Sequence, residues 1–316
     1  MRNSTKLISL LVLAIALIAV FLLTDLNASN WDYVLPKRTM KILAIILTGS
    51  AIAFSTVVFQ TITNNRILTP SIIGLDSLYL LIQTFIIFVF GSTHMTLMNQ
   101  HVNFVISVGM MIGFALILYH FLFKGEGENI YFLLLIGLIF GTFFSSLSEF
   151  MQVLIDPNEF QVVQDRMFAS FNNVNTELFS ISVVLMLLAT LYFLRFAKYL
   201  DVLSLGKEHA VNLGVNYDSV VKQLFVVIAI LISIATVLVG PITFLGLLVA
   251  NVAYQFLKTY RHSILIVGAI LISIISLVGG QLVVERVFTF STTISVIINF
   301  IGGVYFIYLL LKESRA

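Results

Sequence analysis

The chain has 316 residues, 59% hydrophobic and 10% charged, with a formal net charge of +2 and no cysteine. With a mean hydropathy of +1.07, this excludes a soluble globular fold, which carries about 25% charged residues. The missing cysteine excludes disulfides, thiolate metal sites and cysteine nucleophiles, and a net charge this small gives no footprint for nucleic acid.

A spanning helix needs roughly 20 mostly apolar residues. Ten stretches qualify, at about 7–24, 42–62, 72–91, 103–123, 130–153, 179–197, 221–239, 243–257, 263–280 and 294–311. The first follows Arg2 and Lys6, as a signal peptide would, but its apolar run exceeds a typical h-region and nine more spans follow. Its stretch Leu10–Ile15 is apolar on every side, whereas barrel strands alternate. The second span carries small residues at 49, 51, 53 and 55, which let another helix approach closely. Pro70 and Gly74 punctuate a tight turn into the third span. Asp76 is expected at an inner helix start, where a carboxylate favours the helix dipole.

His94 and His101 share one outer connection and read as solvated loop histidines, because no third metal ligand accompanies them. The fifth span contains Gly137 and Gly141 in a GxxxG pattern that permits close packing. Its Glu149 has two readings: contact with a passing cationic or metal-bearing ligand, or a snorkelling interfacial carboxylate. The outer connection 155–175 holds Asp156, Glu159, Asp165 and Arg166 and has room for a short interfacial helix. The inner connection 198–222 is the most polar stretch. It is too short for a nucleotide-binding fold but long enough for one or two short helices that another protein can grip. There Ser204 can cap a helix and Gly214 can end it with positive φ. Gly240-Pro241 opens the short eighth span, which predicts a broken helix buried in protein.

With ten spans and an inner N-terminus, twelve of the 17 lysines and arginines lie inside: Arg2, Lys6, Arg66, Lys124, Arg195, Lys198, Lys207, Lys222, Lys258, Arg261, Lys312 and Arg315. Five lie outside: Lys37, Arg38, Lys41, Arg166 and Arg286. This bias places both termini in the cytoplasm. No GxxxxGK[ST] loop, HExxH or GxSxG motif occurs, so the chain is not read as an enzyme. Deep ionisable residues, which an ion-coupled transporter usually shows, are scarce. That scarcity favours an external energy source.

Three segments carry a family resemblance: Gly49–Gly74, Leu205–Val215 and Gly240–Tyr254. Together they resemble the FecCD-type permeases, membrane subunits of ABC importers for iron–siderophore complexes, haem and vitamin B12. The resemblance covers nearly the whole chain. In the first segment Gly49, Ala53, Ser55, Gln60, Asn65, Pro70 and Gly74 match, while Thr56 replaces a usual glycine and Arg66 a usual proline. In the second, Leu205, Gly206, Ala210, Leu213, Gly214 and Val215 match. In the third, Gly240, Pro241, Ile242, Phe244, Gly246, Leu247 and Ala253 match, while Ala250-Asn251 stands for Pro-His and Tyr254 for arginine.

The resemblance implies an all-α polytopic fold of the type II ABC importer permease, one domain over residues 1–316. It implies no cofactor and no resident metal. Leu205–Val215 would be the coupling helix seated on a cytoplasmic ATPase; the alternative is an amphipathic helix on the membrane. Arg38 and Arg286 would dock an extracytoplasmic substrate-binding protein, with Lys37 and Lys41 adding basic charge; the alternative for Arg38 is a membrane-edge anchor. Gln60, Asn65, Pro70, Gly137, Gly141 and Glu149 would serve the translocation path or its packing. The implied partners are a second permease, identical or paralogous, two ATP-binding subunits, the binding protein and membrane lipid, in a bacterial plasma membrane. NNRILTPSIIGLDSLYLLIQT is similar to permeases for catecholate siderophores of the petrobactin and enterobactin-like group, so the expected cargo is a ferric siderophore. Haem or vitamin B12 on the same fold, and an ion-coupled secondary transporter, are the alternatives.

Overall fold

A computed structural model describes residues 3–27, 31–97, 100–122, 130–172 and 174–313. Thirteen α-helices occur among the described residues, in the order α1 (Asn3–Leu23), α2 (Trp31–Ile62), α3 (Leu75–Leu97, kinked at Gly91), α4 (Gln100–Leu122) and α5 (Ile130–Leu154), then α6 (Pro157–Met167) and α7 (Thr176–Phe193). After these come α8 (Leu200–Leu203), α9 (Lys207–Asn212), α10 (Tyr217–Val239), α11 (Leu245–Leu257), α12 (His262–Arg286) and α13 (Ile294–Glu313). Seven are long and apolar enough to cross a membrane: α1, α2, α4, α5, α7, α10 and α12. The shorter apolar helices Leu75–Gly91, Leu245–Leu257 and Ile294–Leu309 fall on the remaining three expected spans.

Burial divides these helices by role. In the most apolar stretch of each, 78% of α2 and 72% of α10 is buried inside the chain, against 11% of α1 and 17% of α5. Helices α2 and α10 therefore form the centre, packed on each other. Apolar side chains gain little from leaving lipid for protein, so small residues and close packing must hold such a pair; α2 supplies Ala44, Ala51, Ala53 and Ser55, all buried.

The contacts also show an internal repeat. Helix α2 packs on α12 as α10 packs on α4, α3 packs on α5 as α11 packs on α13, and α2 meets α11 as α10 meets α3. Exchanging spans two to five with spans seven to ten maps each pair onto the other, the pattern of a transporter built from two related halves. The openings of α3 and α11 meet: Thr243 Oγ1 donates to Asp76 Oδ2 at 2.9 Å. Asp76 thus stands in the first turn of α3, as expected, and is buried between the two halves.

The connection between α5 and α7 is ordered by its own cap. Asp156 accepts from Asn158 N and starts α6 on Pro157, the expected short helix of the 155–175 connection. Ser170 N donates to Val239 O at 2.8 Å and clips that connection onto the end of α10. At the opposite end, α8 and α9 occupy the polar connection before α10.

Candidate coupling, packing and docking sites

The α8–α9 unit is anchored at one end and open at the other. Leu200 and Leu203 of α8 are buried in the bundle. The chain then turns through Gly206, with φ +94°, into α9. Of α9 only Ala210 is buried. Leu205, Val211 and Leu213 are 55%, 52% and 64% exposed, an apolar tip on an otherwise polar element. The helix ends by a double closure: Gly214 N donates to Val211 O and Val215 N to Ala210 O, with Gly214 at φ +82°. This is the glycine-terminated hydrogen-bond pattern of a Schellman end. No heavy atom lies within 4 Å of a Cβ built at Gly206 or Gly214, so backbone conformation and not crowding requires glycine there. Ser204 does not cap α9; its hydroxyl donates to Asp201 O, within the last turn of α8. Lys207 pairs with Asp218 at 3.2 Å and braces α9 against α10.

Five of the six expected path or packing residues gather around one turn. Asn65 Oδ1 accepts from Ile67 N at 2.8 Å, and Pro70 starts a 3-10 turn over Pro70–Ile73. Gln60 Nε2 and Asn251 Nδ2 both donate to the Arg66 carbonyl, at 2.6 and 3.0 Å. From the other side, Gly137 and Gly141 of α5 press on the turn's backbone at Ile72–Gly74. Gln60 and Pro70 are buried within the chain. Glu149 lies apart, exposed on α5 beyond this cluster. The Arg66 guanidinium stacks over Tyr254, 4.5 Å from the ring centroid.

At the α6 end, Arg38 and Arg286 both reach the corner after α1. Arg38 Nη1 donates to the carbonyls of Phe21 at 3.1 Å, Leu22 at 3.3 Å and Thr24. It thereby satisfies the carbonyls that a helix C-terminus leaves open. Arg286 pairs with Asp25. Lys41 pairs with Glu285 at 2.9 Å, and Gln281 Nε2 donates to the same carboxylate oxygen at 2.9 Å. Lys41 is therefore held by protein, not extended along the membrane edge. A cavity of about 460 Å³ opens at this end, lined by Tyr79, Asp165, Arg166, Asn172 and Thr293 among others.

His101 Nε2 lies 2.9 Å from Glu177; the His94 side chain lies outside those described. Among the described residues no group of three or more His, Asp or Glu is placed to hold a metal ion.

Sequence reasoning missed one constellation. His262, buried at the start of α12, meets Asp201 of α8 twice: Nδ1 lies 2.6 Å from Oδ1, and its backbone N donates to the same oxygen at 2.9 Å. Its Nε2 lies 2.9 Å from Thr61 Oγ1 of α2. Partial burial works to raise the Asp201 pKa. The two His262 hydrogen bonds and the His262 and Arg261 charges outweigh it and hold the carboxyl below its ordinary value. No spacing signals the pairing, since 61 residues separate Asp201 from His262.

The family model described as the FecCD transport family matches residues 4–312. The chain is 67% identical over 316 residues to the petrobactin import system permease protein YclO of Bacillus subtilis (strain 168), covering 100% of both. It is 37% identical to the petrobactin import system permease protein FatC of Bacillus anthracis, over 91% of this chain and 81% of that one. Its fold is similar, at a TM-score of 0.84 and 22% identity, to a solved inward-facing metal-chelate type ABC transporter, covering 98% of this chain and 100% of that one.

Proposed function

The chain belongs to the FecCD transport family, and we propose that it is the membrane permease of an ABC importer that moves a ferric siderophore, petrobactin in particular, across the bacterial cell membrane. The observation that carries the cargo is the 67% identity, without truncation on either side, to a protein named as a petrobactin import permease. Across so long a match the cargo path is inherited as a surface, which suits a large chelate that touches many residues.

The chain acts as one permease domain over residues 1–316 and performs no covalent chemistry. Energy enters at α9. Exposed Leu205, Val211 and Leu213, on α9 and its two flanks, form an apolar tip for a groove in a cytoplasmic ATPase, while buried Leu200 and Leu203 root the same segment in the bundle. A push on the tip therefore reaches the spans. Arg38 and Arg286 form the rim that receives a substrate-binding protein. A second permease, identical or paralogous, completes the path, and exposed apolar side chains on α5 such as Leu138 and Phe143 are available to it or to lipid. Both termini face the cytoplasm, which the excess of lysine and arginine in the α9-side connections supports.

The test is co-purification of the tagged chain from native membranes in mild detergent, followed by ferric petrobactin uptake in proteoliposomes. The expected result is a stoichiometric ATPase, a second permease and ATP-dependent uptake. A chain that purifies alone and moves ferric petrobactin without ATP would refute the importer reading in favour of a secondary transporter.

A further inference from the structure

From the contacts of Asp201, His262 and Thr61 we infer that these three side chains form a positioning relay, which ties displacement of the α8–α9 unit to the core helices α2 and α12. The inference rests on the reading of α9 as the ATPase seat and adds the residues through which its motion is passed on.

The chain of contacts is continuous. Asp201 sits on the four-residue α8, immediately before the turn into α9. Its one oxygen Oδ1 accepts both the backbone N–H and the ring Nδ1 of His262. The carboxylate therefore fixes a proton on Nδ1 and sets the ring plane. The far ring nitrogen meets Thr61 Oγ1, which also lies 2.8 Å from Val57 O, one turn back on α2.

Three features mark this as a joint, not an incidental surface pair. First, it is buried where it meets the bundle: His262 is 5% and Thr61 4% exposed. Second, it joins elements far apart in sequence, 61 residues from Asp201 to His262 and 201 from Thr61 to His262. Third, the His262 ring is gripped on both sides, by Asp201 of α8 and by Thr61 of α2. A displacement of α8 is therefore passed to α2 through one buried side chain.

The experiment uses the full complex in proteoliposomes and reads ferric siderophore transported per ATP hydrolysed, alongside the amount of ATPase bound. Asp201→Ala is expected to lower transport per ATP by about fivefold or more, the low end of typical site-to-site coupling, with ATPase binding retained. Asp201→Asn keeps an oxygen acceptor for both His262 donors and is expected to restore most of the ratio. Thr61→Val, nearly isosteric, is expected to uncouple like Asp201→Ala. The double variant is expected to be little worse than either single one, as members of one unit behave. A merely structural role would lower the amount of assembled complex and leave the ratio intact. Wild-type ratios in Asp201→Ala or Thr61→Val complexes, with ATPase bound, overturn the relay alone. Absence of any ATPase from the wild-type complex overturns the α9 reading and the relay with it. Where Asp201→Ala fails to assemble, the Thr61→Val ratio decides.

Discussion

Replacing Gly137 and Gly141 by alanine, one at a time, tests whether α5 is held by direct backbone contact with the turn before α3. A Cβ at Gly137 would lie 2.7 Å from Ile72 O and 3.0 Å from Ile73 Cα, both backbone atoms. Ordinary carbon–oxygen contacts begin near about 3.3 Å, so α5 or the turn must retreat by roughly half an ångström. A Cβ at Gly141 would meet Gly74 Cα at 3.6 Å, an ordinary contact. Overpacking costs about 1–3 kcal/mol, and alanine in place of glycine returns about 1 kcal/mol in a helix interior. Gly137→Ala should therefore destabilise by up to about 2 kcal/mol, and Gly141→Ala should be neutral or stabilising by up to about 1 kcal/mol. The two positions share a helix and a neighbour, so thermal unfolding in one detergent, followed by far-ultraviolet circular dichroism, compares them directly. Equal midpoints, or a larger loss at Gly141, would refute the contact.

Three further outcomes follow from the sites. Gly206→Val and Gly214→Val each force a β-branched residue to positive φ at about 1–3 kcal/mol; both should reduce ATPase co-purification far more than they reduce detergent-extracted yield. Asp25→Ala releases Arg286 for an incoming acid and should tighten binding-protein association by up to about fivefold, since exposed pairs contribute about 0–1 kcal/mol. Arg286→Glu should weaken it, and the difference should shrink in high salt; titration of the binding protein onto proteoliposomes reads both. Asp201 is held below its ordinary pKa in the folded chain, so its stabilising contribution is present at neutral pH and is lost as pH falls through that depressed value. The stability deficit of Asp201→Asn should therefore be full at pH 7, begin to shrink below about pH 4, near the ordinary carboxylate pKa, and vanish only below the depressed value of the folded chain, in unfolding midpoints measured across pH.

The spans were legible because a bilayer imposes one demand, apolar length, that composition displays directly. All ten expected stretches fall on apolar helices, including the short α11 after Gly240-Pro241. The short helices of both longer connections were legible too, since polarity and turn residues bound them. The internal repeat was not: it lives in which helices touch, and Leu75–Gly91 shares little residue pattern with Leu245–Leu257. Asp76 opens α3 as expected, but its partner was not legible for the same reason, because Thr243 comes from the opposite half. Nor was the engagement of Arg38 by the end of α1 readable, since basic residues beside a span look alike whether they face solvent, lipid or carbonyls.

Four of the five positions where this chain departs from the family pattern, Thr56, Arg66, Asn251 and Tyr254, touch one another or a matching residue. Thr56 stands where glycine is usual, and a Cβ built at Gly246 on α11 would fall 2.1 Å from its hydroxyl oxygen. The close approach of α2 and α11 thus has room for one side chain, and α2 has taken it. Arg66 stands where proline is usual and Tyr254 where arginine is usual, and the two stack on each other. Asn251, in place of histidine, donates to the Arg66 carbonyl, an acceptor that Gln60 already shares. Departures scattered independently would each leave a void, a clash or an unpaired buried group, at about 1–3 kcal/mol apiece. Paired as they are, they keep the α2–α11 joint closed, with the turn before α3 fastened to α2 by Gln60 and to α11 by Asn251.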